Sequence, residues 1–175
     1  MKTMRRAEVE KLAGAPDGLG WHFKVHSDLF EKQVPVIISK GLVESSDVIE
    51  DYQIDALNMF LNIDPFQRIT VAQLLFSHCK FYNEIADYGI DRRDESHPCY
   101  ATRPEDVFKK ITGEPQVIIQ AKEWWKNLYC VISFSPEWEN EHGVVLVVKN
   151  GHIIAFADYQ DYFYDFEPPG RNGGE

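Results

Sequence analysis

Cysteine is scarce in this chain. Cys79, Cys99 and Cys130 are the only three among 175 residues. They are odd in number and carry no zinc-type spacing, so neither a disulfide framework nor a structural zinc site is expected. Long apolar runs are also missing. Val144–Val148 is far shorter than the roughly 18–20 residues that cross a bilayer, and no apolar stretch follows Met1-Lys2-Thr3-Met4-Arg5-Arg6 to make a secretory signal. A cytoplasmic protein without a membrane partner is the expectation. Basic residues are outnumbered, 18 Lys and Arg against 28 Asp and Glu, for a net charge of −10. Nucleic-acid binding needs a basic stripe to neutralise phosphates, which argues against that partner. No phosphate-binding loop, paired-glycine dinucleotide turn or nucleophile elbow is present, so no cofactor is expected.

What remains is the composition of one folded domain: 44% hydrophobic and 26% charged residues, in a chain long enough to bury most of its apolar surface. Aromatics reach 13%, with 11 Phe, 8 Tyr and 4 Trp. The acidic excess lies in two segments. Residues 41–64 hold Glu44, Asp47, Glu50, Asp51, Asp55 and Asp64 with no base, and residues 131–175 hold eight acids against Lys149 and Arg171. Such an excess either keeps the protein soluble or forms an acidic face that steers a basic partner.

The hydrophobic pattern predicts an α+β domain, a mainly antiparallel sheet with helices packed on one face. Residues 1–20 read as a basic, partly flexible N-terminal segment, residues 21–167 as the domain, and residues 168–175 as a flexible tail. Trp21–His26 and Val34–Ser39 alternate or carry β-branched runs and predict strands. Ser46-Asp47 predicts the cap of a helix ending near Leu61, and Thr70 with Gln73 predicts the capping box of a second. That second helix carries a stripe of Leu74, Leu75, His78, Phe81, Tyr82 and Ile85. Thr102, Pro104, Glu105 and Gly113 mark a third, short helix. Val117–Ile119, Leu128–Phe134, Val144–Val148 and Ile153–Phe156 complete the sheet, with Asn150-Gly151 as a hairpin turn.

The most distinctive string is Trp138-Glu139-Asn140-Glu141-His142-Gly143. Glu139, Glu141 and His142 have the chemistry of metal ligands or of a general acid and base, which opens a metal-assisted hydrolase as one alternative function. Their spacing does not match a helical metal site, where ligands stand four apart. The favoured reading is structural: Trp138 packs in the core, Gly143 supplies backbone freedom, and Glu141 or His142 bonds the neighbouring strand. No catalytic residue and no metal ligand is assigned.

Taken together, Tyr129–Phe134, the Trp-x-x-Glu-His-Gly-Val string, a strand, Asn-Gly and another short strand resemble the C-terminal signature of bacterial DUF6985-like domains. Val34-Pro35-Val36, Ala56-Leu57 and Phe81-Tyr82 match that family in outline. Ala157-Asp158 departs from it, standing where a Gly and Asp commonly follow the last strand. Such domains are found among the immunity proteins of polymorphic toxin systems. Together with the acidic segments and the lack of a catalytic constellation, the resemblance implies a non-enzymatic immunity protein that binds a basic cognate toxin domain and occludes its active or substrate-binding surface.

The C-terminal run Asp158-Tyr159-Gln160-Asp161-Tyr162-Phe163-Tyr164-Asp165 suits such contact, because aromatics anchor interfaces and acids pair with basic groups. The partner-binding candidates are Asp158, Tyr159, Asp161, Tyr162, Phe163 and Asp165, with Glu44, Asp47 and Asp51 from the other acidic segment. A peptide-binding scaffold that uses an exposed sheet edge is the second alternative.

Overall fold

The structure, a computed structural model, describes residues 2–40, 47–86, 101, 103–120, 125–139 and 141–157. Its elements run α1 (Arg6–Ala13), β1 (Gly20–Ser27), β2 (Lys32–Ser39), α2 (Asp51–Leu61), α3 (Arg68–Ala86), β3 (Ile111–Ile119), β4 (Tyr129–Pro136), β5 (Val144–Lys149) and β6 (His152–Ala157). The six strands lie in one sheet in chain order. Every neighbouring pair is antiparallel except β2 and β3, which run parallel. A parallel pair cannot be closed by a tight turn, and α2 and α3 fall within that long connection. The fold is α+β, as the pattern predicts.

Register assigns each side chain to a face. Phe23 stands opposite Val36, Val36 beside Val117, Val117 opposite Ile132, and Ile132 opposite Leu146. All five belong to one buried core that also takes Val9 of α1, Leu57 and Phe60 of α2, and Val71 and Leu75 of α3. The intervening residues point the other way, since side chains alternate along a strand. On that far face Tyr129, Val131, Val145 and Val147 form a second, smaller apolar cluster with Trp125. The β1 end of the same face carries the exposed His22, Lys24 and His26. Edge strand β1 is thus guarded by polar and charged side chains. Asn150 and Gly151 both adopt positive φ, as the hairpin joining β5 to β6 requires.

Three helix starts differ from the sequence pattern. α2 begins at Asp51, after an N-cap at Glu50. The Gln53 side chain accepts the Glu50 N–H at 3.0 Å and donates to the Ser39 carbonyl at 3.0 Å, tying the helix start to the end of β2. α3 begins ahead of Thr70, because Asp64 accepts the Phe66 N–H at 2.9 Å and opens a 3₁₀ turn, Pro65–Gln67, that runs straight into the helix. The third helical signal is a 3₁₀ stretch, Pro104–Lys110, that passes directly into β3. Gly113 falls where β3 loses register with β4, between Thr112 and Gln116, and not at a helix end. None of the described helices is long and apolar enough to cross a membrane.

Candidate functional site

The chain leaves β4 at Pro136 and re-enters the sheet at Val144, so the Trp-Glu-His-Gly string forms the corner between β4 and β5. Trp138 is buried, and its indole N–H donates to His78 Nδ1 at 3.0 Å. An indole nitrogen only donates, so His78 Nδ1 carries no proton in this arrangement. The His78 ring, 1% exposed, stacks on Tyr82 at 5.6 Å and meets Phe156 of β6 edge-on at 5.2 Å. One buried imidazole therefore joins α3, the corner and the last strand.

Glu139 of the same corner is also buried. Its Oε1 accepts the backbone N–H of Glu141 at 3.1 Å and of His142 at 2.8 Å. A carboxylate that bonds amides two and three residues ahead closes a local turn. Gly143 follows with φ +73°, and a Cβ there would stand 2.6 Å from the Phe134 carbonyl oxygen.

The possible acid–base or metal trio is brought together only in part. Glu139 is buried, Glu141 and His142 are exposed, and His142 Nδ1 lies 3.5 Å from Glu139 Oε1. Among the described residues no group of three or more His, Cys, Asp or Glu is placed to hold a metal ion. Glu141 and His142 enter the Glu139 turn through their backbone amides, and the His142 imidazole lies near the same carboxylate oxygen.

Cys79 and Cys130 are both buried. Burial pushes the Cys130 thiol well above its ordinary value, so it stays protonated and unreactive. A thiol reagent at neutral pH should leave both unlabelled in the native protein and label both in denaturant, as peptide mass mapping would show. Native labelling of Cys130 would contradict the buried placement.

A domain model described as "Domain of unknown function (DUF6985)" matches residues 9–164. The chain belongs to the DUF6985 family. No curated protein and no solved structure gives a significant match.

The acidic candidates of this DUF6985 chain have partners of their own. Asp47 pairs with Lys40 at 2.6 Å and Asp51 with Arg6 at 2.6 Å. Glu44 and the run Asp158, Tyr159, Asp161, Tyr162, Phe163 and Asp165 lie outside the described residues. In sequence that run follows directly on β6, which ends at Ala157.

A surface absent from the sequence reading lies where α3 begins. Phe66 is 81% exposed and Ile69 62% exposed. Phe81 and Ile154 are further exposed apolar residues on α3 and β6. Between Phe66 and Ile69 the backbone is firmly held. Gln67 donates to the Gly151 carbonyl at 2.5 Å and accepts the Ile153 N–H at 2.8 Å. Its amide thereby covers part of the β6 edge, which protects that stretch from pairing with another chain. A weak signal was present: Phe66 and Ile69 lie off the stripe that Leu75, His78 and Tyr82 turn to the core.

Proposed function

We propose that this DUF6985 protein is an immunity protein that binds a basic cognate toxin domain and occludes its active or substrate-binding surface. The observation that carries the reading is the pair of exposed side chains, Phe66 and Ile69, on backbone held in place by Gln67 and Asp64. A large apolar side chain on rigid backbone loses little conformational freedom on binding, which is what an interface anchor needs. The net charge of −10 favours a basic partner and supplies long-range attraction. In this reading Trp138, Glu139 and Gly143 shape the corner that supports α3, and the acidic-aromatic run after β6 adds contacts.

The test begins with the genes adjoining this one: a large secreted protein with a variable C-terminal domain is expected there, and that domain is expressed with and without this protein in a bacterial host. Protection of growth and a measurable complex are expected. The double variant Phe66→Asp/Ile69→Asp should melt like the parent yet bind at least about a hundredfold more weakly, because two anchors are lost. Association should slow steeply as rising salt shortens the Debye length from ~10 Å toward ~3 Å. Full protection by the double variant, or no complex with the neighbouring domain, would overturn the proposal.

A further inference from the structure

Residues 2–5 run extended along α2, and the way they are held has the form of peptide recognition. Asn58 accepts the Met4 N–H at 2.7 Å and donates to the Met4 carbonyl at 3.0 Å. Asn62, one helical turn on, accepts the Lys2 N–H at 2.8 Å and donates to the Lys2 carbonyl at 2.6 Å. Each amide thus takes both backbone groups of one residue, as a neighbouring strand would. The geometry explains why two asparagines four apart can do this. Four helical residues rise about 6 Å, and two extended residues advance roughly 6.6 Å. The two repeats nearly coincide.

Charge frames the same contact. Lys2 Nζ lies 2.5 Å from Asp28, and Arg6 lies 2.6 Å from Asp51, which shares a helical stripe with Asp55, Asn58 and Asn62. The Lys2 hydrogen bond holds the Asp28 carboxyl below its ordinary value. Asp55 is exposed and makes no ion pair among the described residues. Of the bound segment only Met4 reaches the core, where it packs partly buried. α1, by contrast, is anchored by the fully buried Val9. Residues 2–6 can therefore peel away, fraying α1 by its first residue while Val9 keeps the rest docked, because exposed or partly buried hydrogen bonds and surface ion pairs contribute little to local stability.

We propose that this groove is a binding site for an extended basic segment of a partner protein, occupied in cis by residues 2–6. The Asn58–Asn62 ladder reads backbone and accepts any side chain between. Asp28 and Asp51 select bases about four residues apart, and Asp55 is available to a third. The cis segment scales the apparent affinity for any competitor down to the intrinsic affinity multiplied by the fraction of time that the groove is open. The proposal does not depend on the toxin reading, because a short peptide tests it without any toxin.

The probe is a fluorescently labelled peptide of sequence Lys-Thr-Met-Arg-Arg-Ala, titrated against the full chain. The Lys2→Glu/Arg6→Glu variant, which weakens the cis contact, should bind it at least about tenfold more tightly than the parent. Adding Asn58→Leu/Asn62→Leu should remove that gain. Saturating peptide should also speed hydrogen exchange at the Met4 amide, which a merely structural segment would not show. If the leucine variants fail to fold, Asp28→Lys/Asp51→Lys supplies the second arm, with loss of this peptide and gain of the charge-reversed Glu-Thr-Met-Glu-Glu-Ala. Equal affinity for parent and Lys2→Glu/Arg6→Glu, or a Met4 amide indifferent to peptide, would overturn the proposal.

Discussion

Replacing Trp138 by Ala will destabilise the protein by about 3–5 kcal/mol, the range for deleting a buried aromatic ring. Two effects combine. The ring leaves a cavity in the main core beside the His78 ring, and His78 loses the indole donor that faces its Nδ1 at 3.0 Å. A buried acceptor without its donor adds a desolvation cost to the lost packing. For a chain of this size the melting temperature should fall by on the order of 10 °C. Trp138→Phe shifts the balance between the two effects, because it keeps a six-membered aromatic ring in the core while removing the N–H together with part of the indole. It should cost about 1–3 kcal/mol. Calorimetry or denaturant titration checks both variants. A Trp138→Ala protein that melts like the parent would show that the indole is a surface contact and not a core element.

Gly143→Ala should cost on the order of 2–4 kcal/mol, from a left-handed backbone and a steric clash together. The residue sits at φ +73°, and the added methyl would stand 2.6 Å from the Phe134 carbonyl oxygen, which is held in the pairing of β4 with β5. Gly151 provides the comparison. It has φ +82°, yet nothing lies within 4 Å of its missing Cβ. Gly151→Ala should therefore show the backbone cost alone, about 1–2 kcal/mol. If the two variants are equally stable in denaturant, the close approach to Phe134 carries no weight and the corner is looser than described.

Most of the local architecture was legible in residue order. Trp21, Phe23 and Val25 alternate with His22, Lys24 and His26, and that period of two already assigns β1 its buried and exposed faces. Asn150-Gly151 announces a turn that needs positive φ, and both residues adopt it. Helix starts were less legible because capping groups compete. Thr70 with Gln73 has the pattern of a capping box, but Asp64 and Pro65 lie closer to the N-terminus and open the turn first. For α2, Gln53 chooses the start by reaching the Ser39 carbonyl of another element, a contact no local pattern contains.

Residue order alone pointed to the α+β class and the Asn150-Gly151 hairpin, and it is the source of the structural reading of Trp138 and Gly143, because periodicity and turn chemistry act between neighbours in the chain. Tertiary structure alone decided which groups meet across long separations. The parallel pairing of β2 with β3, the bond from Trp138 to His78 sixty residues away, and the seating of Met4 on Asn58 are of this kind. It also decided that Asp47 and Asp51 answer to Lys40 and Arg6, and that Phe66 and Ile69 face solvent. A side chain's type states what it can bond. Only the fold brings the partner within reach, since partners this far apart in sequence are positioned by the packing of whole elements on one core.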